Sequence, residues 1–438
     1  MRFEYVFAAV YFIVSFWLIG KISFIKNADL SVVQIRLLFA FKITSGIACA
    51  YYFGRLPPIG DYLNYNIEGN RQYNLLLLNP ALFFTDFKND ISTYGIGGLF
   101  ASSNSFWAYL RFNLLYKFIA ILDLITRGNF YLNSAMFSSI VFFGHIAFYR
   151  IYSQIYQCHR VIILFTCFLL PSLLLYTSCV HKDGMVFLCT GIVCFIFFRF
   201  LAKTETPRLS FVLFFLLGIA IIFLFRNYVV LALIPAMLIA FISKLLPYRK
   251  SRILITGHLF FAVLFFLSGN VNSSLNLPAA VVQRKADFAA LGEANTNIST
   301  KELLPNVGSF INNLPQAINH VLFRPYLWEF PMFGVFLTAL EIFLYQLIFV
   351  TFVFFRKKRA NVVNVFNLFG CSFFINMMLI IGYTIPNIGA IVRYRSIFWI
   401  FIICPLLCNT DWGKLLSLIT IKCKQLKKNC LHAPEDWR

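Results

Sequence analysis

Residues 209 to 246 read LSFVLFFLLGIAIIFLFRNYVVLALIPAMLIAFISKLL. Apart from Lys244 near its end, the only charge in this stretch is Arg226 at its middle. On either side lies an apolar run of the length that a hydrocarbon core needs, roughly 20 helical residues for about 30 Å. The stretch therefore predicts two membrane-spanning helices, 209 to 225 and 227 to 246, joined at Arg226.

The same reading applies outward along the chain, to residues 4 to 20, 131 to 149, 161 to 177, 184 to 201, 253 to 270, 331 to 355, 364 to 382 and 396 to 410. A weaker span at 36 to 53 is interrupted by Arg36 and Lys42. The 438 residues are 60% hydrophobic and only 13% charged, too little polar surface for a soluble fold of this size. The prediction is an all-α polytopic bundle of about 10–12 transmembrane helices, one membrane domain over 1–438 with long extracytoplasmic loops that carry interfacial helices. The first run has no small-residue cleavage site and reads as a retained anchor.

A net charge of +21 raises the question of nucleic acid. The basic residues, however, fall between apolar runs and form no single stripe with stacking aromatics, so no nucleic-acid partner is expected. Arg150 and Arg160, Lys203 and Arg208, the Arg249-Lys250-Arg252 group, the Arg356-Lys357-Lys358-Arg359 group and the basic tail 411–438 alternate consistently as cytoplasmic segments. The C-terminus is then cytoplasmic. The turn from Ser178 to Asp183, the junction at Arg226, the stretch 271–330 and a loop at 383 to 393 fall on the opposite face.

Two segments are too long and polar for simple connections, 54–105 and 271–330, and both are expected on that outer face. The first reads as a strand-free loop with one or two helices lying along the membrane surface, including an amphipathic run from Tyr73 to Phe87 and a Gly/Ser-rich stretch through Ser105. Segment 107 to 124 is ambiguous, because Arg111, Lys117 and Asp123 break its apolar face. A span there would spoil the charge alternation, which favours an interfacial or partly inserted helix.

The eleven cysteines have no paired spacing and mostly lie in apolar runs, which predicts neither a disulfide framework nor a zinc site; Cys423 and Cys430 in the tail read as solvated thiols, with palmitoylation the other reading. The sequence contains no phosphate-binding glycine loop, no dinucleotide fingerprint, no His-Glu-x-x-His and no Gly-x-Ser-x-Gly. ATP-driven pumping, zinc proteolysis and α/β-hydrolase chemistry are thereby unsupported.

What remains is polar residues at the outer ends of spans, where charge is costly and so marks function. Asp61 follows a Pro-Pro-Ile-Gly turn and precedes Tyr62 and Tyr65. It reads either as a base for a hydroxyl, with the tyrosines stacking on sugar, or as a helix cap. Lys182 and Asp183 occupy a tight turn between two spans, either holding substrate or pairing with each other. His181, with no second histidine near it, reads as an interfacial polar residue. Arg226, Arg324, Arg393 and Arg395 stand on the face that the positive-inside rule keeps poor in arginine, near Tyr228 and Trp328. They read either as diphosphate ligands or as snorkelling side chains. Glu341 lies within an apolar helix and is read as a brace to one of these arginines.

Gly60-Asp61-Tyr62, the Pro171-Ser172 span end, the Ser178-x-x-x-Lys182-Asp183-Gly184 turn, Arg324-Pro325-x-x-Trp328-Glu329 and Arg393-x-Arg395, taken in order, resemble a family. It is that of the polytopic bacterial envelope glycosyltransferases and oligosaccharide-repeat-unit polymerases, EpsG-like and O-antigen-polymerase-like, with GT-C-like architecture. The resemblance implies a polyprenyl-diphosphate-linked saccharide as donor, transfer on the extracytoplasmic face of the bacterial inner membrane, and surface polysaccharide as product. Asp61, Lys182 and Asp183 map onto catalytic positions; Tyr62, Tyr65, Arg226, Arg324, Trp328, Glu329, Arg393 and Arg395 map onto substrate-binding ones. No second acidic residue follows Asp61 directly, so a metal-independent reaction without cofactor is expected. A transporter or flippase of the same lipid-linked saccharide is the other reading; the long one-sided loops and the lack of a visible repeat weigh against it.

Overall fold

The computed structural model describes residues 3–55, 60–95, 105–157, 159–202, 208–271, 276–290, 296–329, 333–357, 364–418 and 420. The Pro57-Pro58 turn, most of the Gly/Ser-rich stretch, Lys203, Lys358, Arg359 and the tail from 421 onward lie outside them. The chain is an all-α bundle: among the described residues the extended backbone amounts to two isolated bridges, Asn297 with Asn387 and Arg356 with Thr410. Helices are what lipid demands, because every backbone N–H and C=O must find its partner inside the segment.

Seven helices are long and apolar enough to cross a membrane, or up to nine if each of two bent pairs is one span. The run Leu209–Leu245 counts there as one, yet its backbone leaves the helical region at Arg226, with φ −151° and ψ 80°. Contacts show that the chain reverses at this residue. Phe211 lies 5.2 Å from the Arg199 guanidinium, Arg226 reaches Asp183, and Phe241 returns to within 6.0 Å of Phe200, where Lys244 also bonds the Phe200 carbonyl. Both ends therefore sit beside the last turn of the Lys182–Ala202 helix and the middle beside its first. The two halves cross separately, as the apolar pattern predicts. With this hairpin counted as two crossings, each bent pair as one and the shorter apolar Phe3–Leu18 helix as one more, the number of crossings reaches the expected range.

The bundle has two chemically different ends. At one, Arg150 bonds the Phe24 carbonyl and Lys357 bonds the Cys408 carbonyl and the His159 ring, close to Asn367, Asn409 and Tyr156. These are the basic segments that the alternation assigns to one face. At the other end Phe53 stacks on Tyr62, Asp61 meets Arg393 and Arg226 meets Asp183.

Three elements differ from the sequence reading. The 161 to 177 span is broken into Arg160–Phe168 and Pro171–Ser178, bent by 45° where Pro171 supplies no N–H to the preceding turn. The 383 to 393 segment is not a loop. Asn387 caps a helix over Ile388–Ser396 by accepting from the Ala390 amide, and that helix meets Ile400–Asn409 at 63°. Finally, the helical part of 54–105 begins at Asp61, well before Tyr73, and continues as Asp61–Leu78, Pro80–Thr85 and Phe87–Tyr94.

The ambiguous segment forms a helix, Phe106–Thr126, that lies across the end carrying Asp61. Along its length Trp107 meets Phe223, Phe112 faces Lys182, Phe118 meets Phe137 and Asp123 accepts from Asn133. It thus passes the ends of several helices in turn. Lys117 is not lost in lipid, because it pairs with Asp86 beneath it.

Close helix contact depends on small residues, since lipid gives no hydrophobic drive between helices. At Gly382 an added Cβ would come within 2.5 Å of the Ala317 carbonyl oxygen. Backbone cannot yield as a side-chain tip can, so Gly382→Ala is expected to lower stability by ~1–3 kcal/mol. Thermal unfolding in detergent checks this.

Candidate functional site

The site is built where four helix ends converge. The Asp61–Leu78 helix contributes Asp61 in its first turn, and no side chain caps that helix. Of the two readings for Asp61, the cap is not realised. Its Oδ2 accepts instead from Arg393 Nη1 at 3.0 Å, and the side chain remains half exposed, at 50%. The N-terminal dipole of its own helix adds to this preference for a carboxylate.

His181 lies behind Asp61, in the turn between Pro171–Ser178 and Lys182–Ala202. Its ring is fully buried, 4.6 Å from the Tyr62 ring and 5.3 Å from the Tyr65 ring. Nε2 faces Asp61 Oδ2 at 4.0 Å and makes no hydrogen bond, while Nδ1 lies 3.0 Å from Asp183 Oδ2. Asp183 is 1% exposed and tied on its other oxygen to Arg226, with Arg393 Nε at 3.8 Å. A buried carboxylate in this setting is stable only because the two guanidiniums compensate its lost hydration.

The kink at Arg226 is explained by this contact. A residue at the tip of a helical hairpin can turn its guanidinium inward to Asp183 while stacking 3.7 Å from the centroid of Tyr394. Tyr228 also hydrogen-bonds it. Lys182 packs over Phe112 at 4.9 Å and Tyr65 at 5.8 Å, and its ammonium forms no hydrogen bond or ion pair among the described residues.

Near the site and outside the spans, four groups have shifted proton affinities. The facing His181, then Arg393 and Lys182, hold the Asp61 carboxyl well below the ordinary carboxylate range against the opposing effect of burial. Burial pushes the Tyr62 and Tyr65 hydroxyls up, so both stay protonated. Burial, and then the like charges of Arg284 and Arg226, hold the Arg111 guanidinium below its usual value.

That crowding of like charge lies at the mouth of a large cavity of about 880 Å³. Its walls come from 227–245, Lys250–Val271, Leu277–Ala289, Val307–Leu322 and Val365–Thr384, and are almost wholly apolar. Arg111, Arg284, Tyr228 and Tyr394 line it at the site end, and Ile239, Leu254 and Ile255 near the other. From Tyr228 to Ile239 the wall helix rises by on the order of 17 Å, more than half of a hydrocarbon core. Tyr394 belongs to both places, lining the cavity and facing Arg226 and Arg393.

Of the residues singled out from sequence, Asp61, Tyr62, Tyr65, Lys182, Asp183, Arg226 and Arg393 are brought together. Arg395 points the other way along its helix turn, buried, and donates to the Val321 carbonyl at 2.5 Å. Arg324 is paired with Glu329, the Tyr326 and Trp328 that lie between them stack on each other, and Trp328 is 82% exposed. Their hydrogen bonds and ion pair among the described residues stay within 319–329 and do not reach the cluster. Among the described residues Glu341 makes no direct ion pair with an arginine, although the Arg395 charge lies near enough to act on it; it accepts from the Ser172 amide and hydroxyl and from Tyr345.

Sequence reasoning gave no functional role to His181, read as an interfacial polar residue, or to Arg111, read as a break in an apolar face, and passed over Arg284 and Tyr394. The signal for Arg284 was the same that drew attention to Arg226, a basic residue on the arginine-poor face. For His181 there was none, since its partners come from residues 120 positions upstream and two downstream. Among the described residues no three His, Cys, Asp or Glu side chains are placed to hold a metal ion.

The fold and site together define a multi-pass helical membrane protein with a cationic, carboxylate-bearing site at one end of the bundle and an apolar cavity leading from it. No protein-family profile matches this chain, and neither any curated protein nor any solved structure matches it.

Proposed function

We propose that this protein transfers saccharide from a polyprenyl diphosphate to an acceptor hydroxyl, as a glycosyltransferase or polymerase of surface polysaccharide at the bacterial inner membrane. The observation that carries the reading is the continuity of the apolar cavity with the cation cluster through Tyr394. A long prenyl chain needs an apolar channel running into the membrane, and its diphosphate needs guanidiniums at the channel mouth. Arg111, Arg284, Arg226, Arg393 and Lys182 outnumber Asp61 and Asp183, so the place is short of negative charge.

In this reading Arg111 and Arg284 hold the diphosphate and stabilise the negative charge that grows as the glycosidic C–O bond breaks. Asp61 faces the acceptor hydroxyl and directs its attack. The gathering of Arg150, Arg160, Arg356 and Lys357 at the opposite end supports an extracytoplasmic site and a cytoplasmic C-terminus.

The test uses the purified full chain. Undecaprenyl diphosphate binding is measured by native mass spectrometry, and its release is followed from lipid-linked saccharides extracted from cells lacking this protein. Binding with release supports transfer, whereas binding without release favours a carrier that moves the lipid-linked saccharide unchanged. Ala280→Trp, which fills the cavity, is expected to abolish undecaprenyl diphosphate binding. Arg284→Ala is expected to weaken it about 10-fold, the worth of one charged hydrogen bond. Unchanged affinity in both variants would remove the cavity from the account.

A further inference from the structure

Lys182 stands at the site without a polar partner. Among the described residues its ammonium makes no hydrogen bond or ion pair, and it rests against the Phe112 and Tyr65 rings. We infer that Lys182 binds a carboxylate on the sugar next to the diphosphate, so that the lipid-linked saccharide taken by this protein is an acidic one. This rests on the transfer reading above and names the substrate class of the same site.

The state of the ammonium is the first reason. Lys182 is only partly exposed, and aromatic rings attract a cation but offer its N–H donors no lone pair. Two neighbouring cations are held differently, Arg226 by Asp183 and Tyr228 and Arg393 by Asp61. An ammonium drawn from water without an acceptor costs free energy, which a bound anion recovers.

Its place is the second. The Phe112 ring lies 4.9 Å from the Lys182 ammonium and 5.0 Å from the Arg111 guanidinium. Arg111 also lines the mouth of the cavity, while the Lys182 charge acts on Asp61. With the diphosphate at Arg111 and Arg284 and the acceptor hydroxyl at Asp61, the sugar to be transferred lies between them, beside Lys182. The rings of Tyr65, Phe112 and Tyr116, each 6.2 Å from the next, give that place an aromatic wall for the sugar to pack on.

Charge is the third. Among the described residues of the cluster, Arg111, Arg226, Arg284, Arg393 and Lys182 face the carboxylates of Asp61 and Asp183. A diphosphate esterified at both ends carries one negative charge on each phosphate, so with a neutral sugar one cation is left uncompensated. A uronic acid completes the match, and Lys182 is the cation placed to meet it.

The experiment measures lipid binding to the purified full chain by native mass spectrometry. The probes are undecaprenyl diphosphate alone and two matched pairs carrying one sugar, glucose with glucuronic acid and galactose with galacturonic acid; the members of each pair differ only at C6. Wild type is expected to bind the uronic acid of at least one pair about 10-fold more tightly than its neutral partner, the worth of one charged hydrogen bond. Lys182→Met is expected to bind both members equally, and Lys182→Arg to keep the preference. Monodisperse elution shows that each variant is folded, and the wild-type comparison decides the sugar class without any variant. Equal affinities within both pairs for wild type overturn the inference and leave the transfer reading standing. A preference that survives in Lys182→Met overturns the role of Lys182, and a parallel loss of affinity for undecaprenyl diphosphate alone makes it a diphosphate ligand instead. A wild type that binds none of these lipids overturns the transfer reading, and the acidic substrate with it.

Discussion

Replacing Asp61 with Asn is expected to slow saccharide transfer by ~10²–10⁴-fold, the usual worth of a positioned acid–base group, while leaving the protein folded. The carboxylate is half exposed, caps no helix and is held by one hydrogen bond from Arg393, so little of the fold rests on it. Asn keeps the shape and one acceptor oxygen for that bond but cannot take a proton. Affinity for undecaprenyl diphosphate should be unchanged or slightly raised, because a negative charge beside the cations is lost. A rate within a factor of about two of wild type would remove Asp61 from the chemistry, given that acid–base catalysis is worth at least ~10²-fold.

Arg226→Met is expected to have the largest effect on stability, ~3–5 kcal/mol, because it leaves Asp183 buried with its main counter-charge removed. The same change also takes the guanidinium off the Tyr394 ring and removes the inward contact that holds the tip of the hairpin. The double variant Arg226→Met with Asp183→Asn should recover much of the loss, since it removes the unpaired charge as well. Unfolding midpoints of the single and double variants in detergent check this. A single variant as stable as wild type would show that Arg393 alone compensates Asp183.

The unequal yield of the arginine readings has a plain physical cause. All four were found by one signal, basic charge on an arginine-poor face, and that signal carries no direction. Arg393 and Arg395 are two residues apart on the Ile388–Ser396 helix, hence about 200° around its axis. One therefore meets Asp61 while the other is turned to the Val321 carbonyl. Reading this stretch as a loop concealed the difference. Arg324 shows a second cause: Glu329 is near enough in sequence to neutralise it locally.

The sequence by itself determined the solvent, the all-helical class and which basic segments gather at one end of the bundle. Apolar runs of spanning length force helices, and basic residues gathered between alternate runs separate one end of the bundle from the other. Even the reversal at Arg226 was legible, because one charge between two spanning lengths is cheapest at a membrane surface. Only the tertiary structure decided what the opposite end holds. The His181 contacts join Asp61 to Asp183, and the cavity joins helices from 227 to 384. Such convergence depends on which faces of distant helices meet, and in a bundle where nearly every face is apolar the hydrophobic pattern does not distinguish one from another.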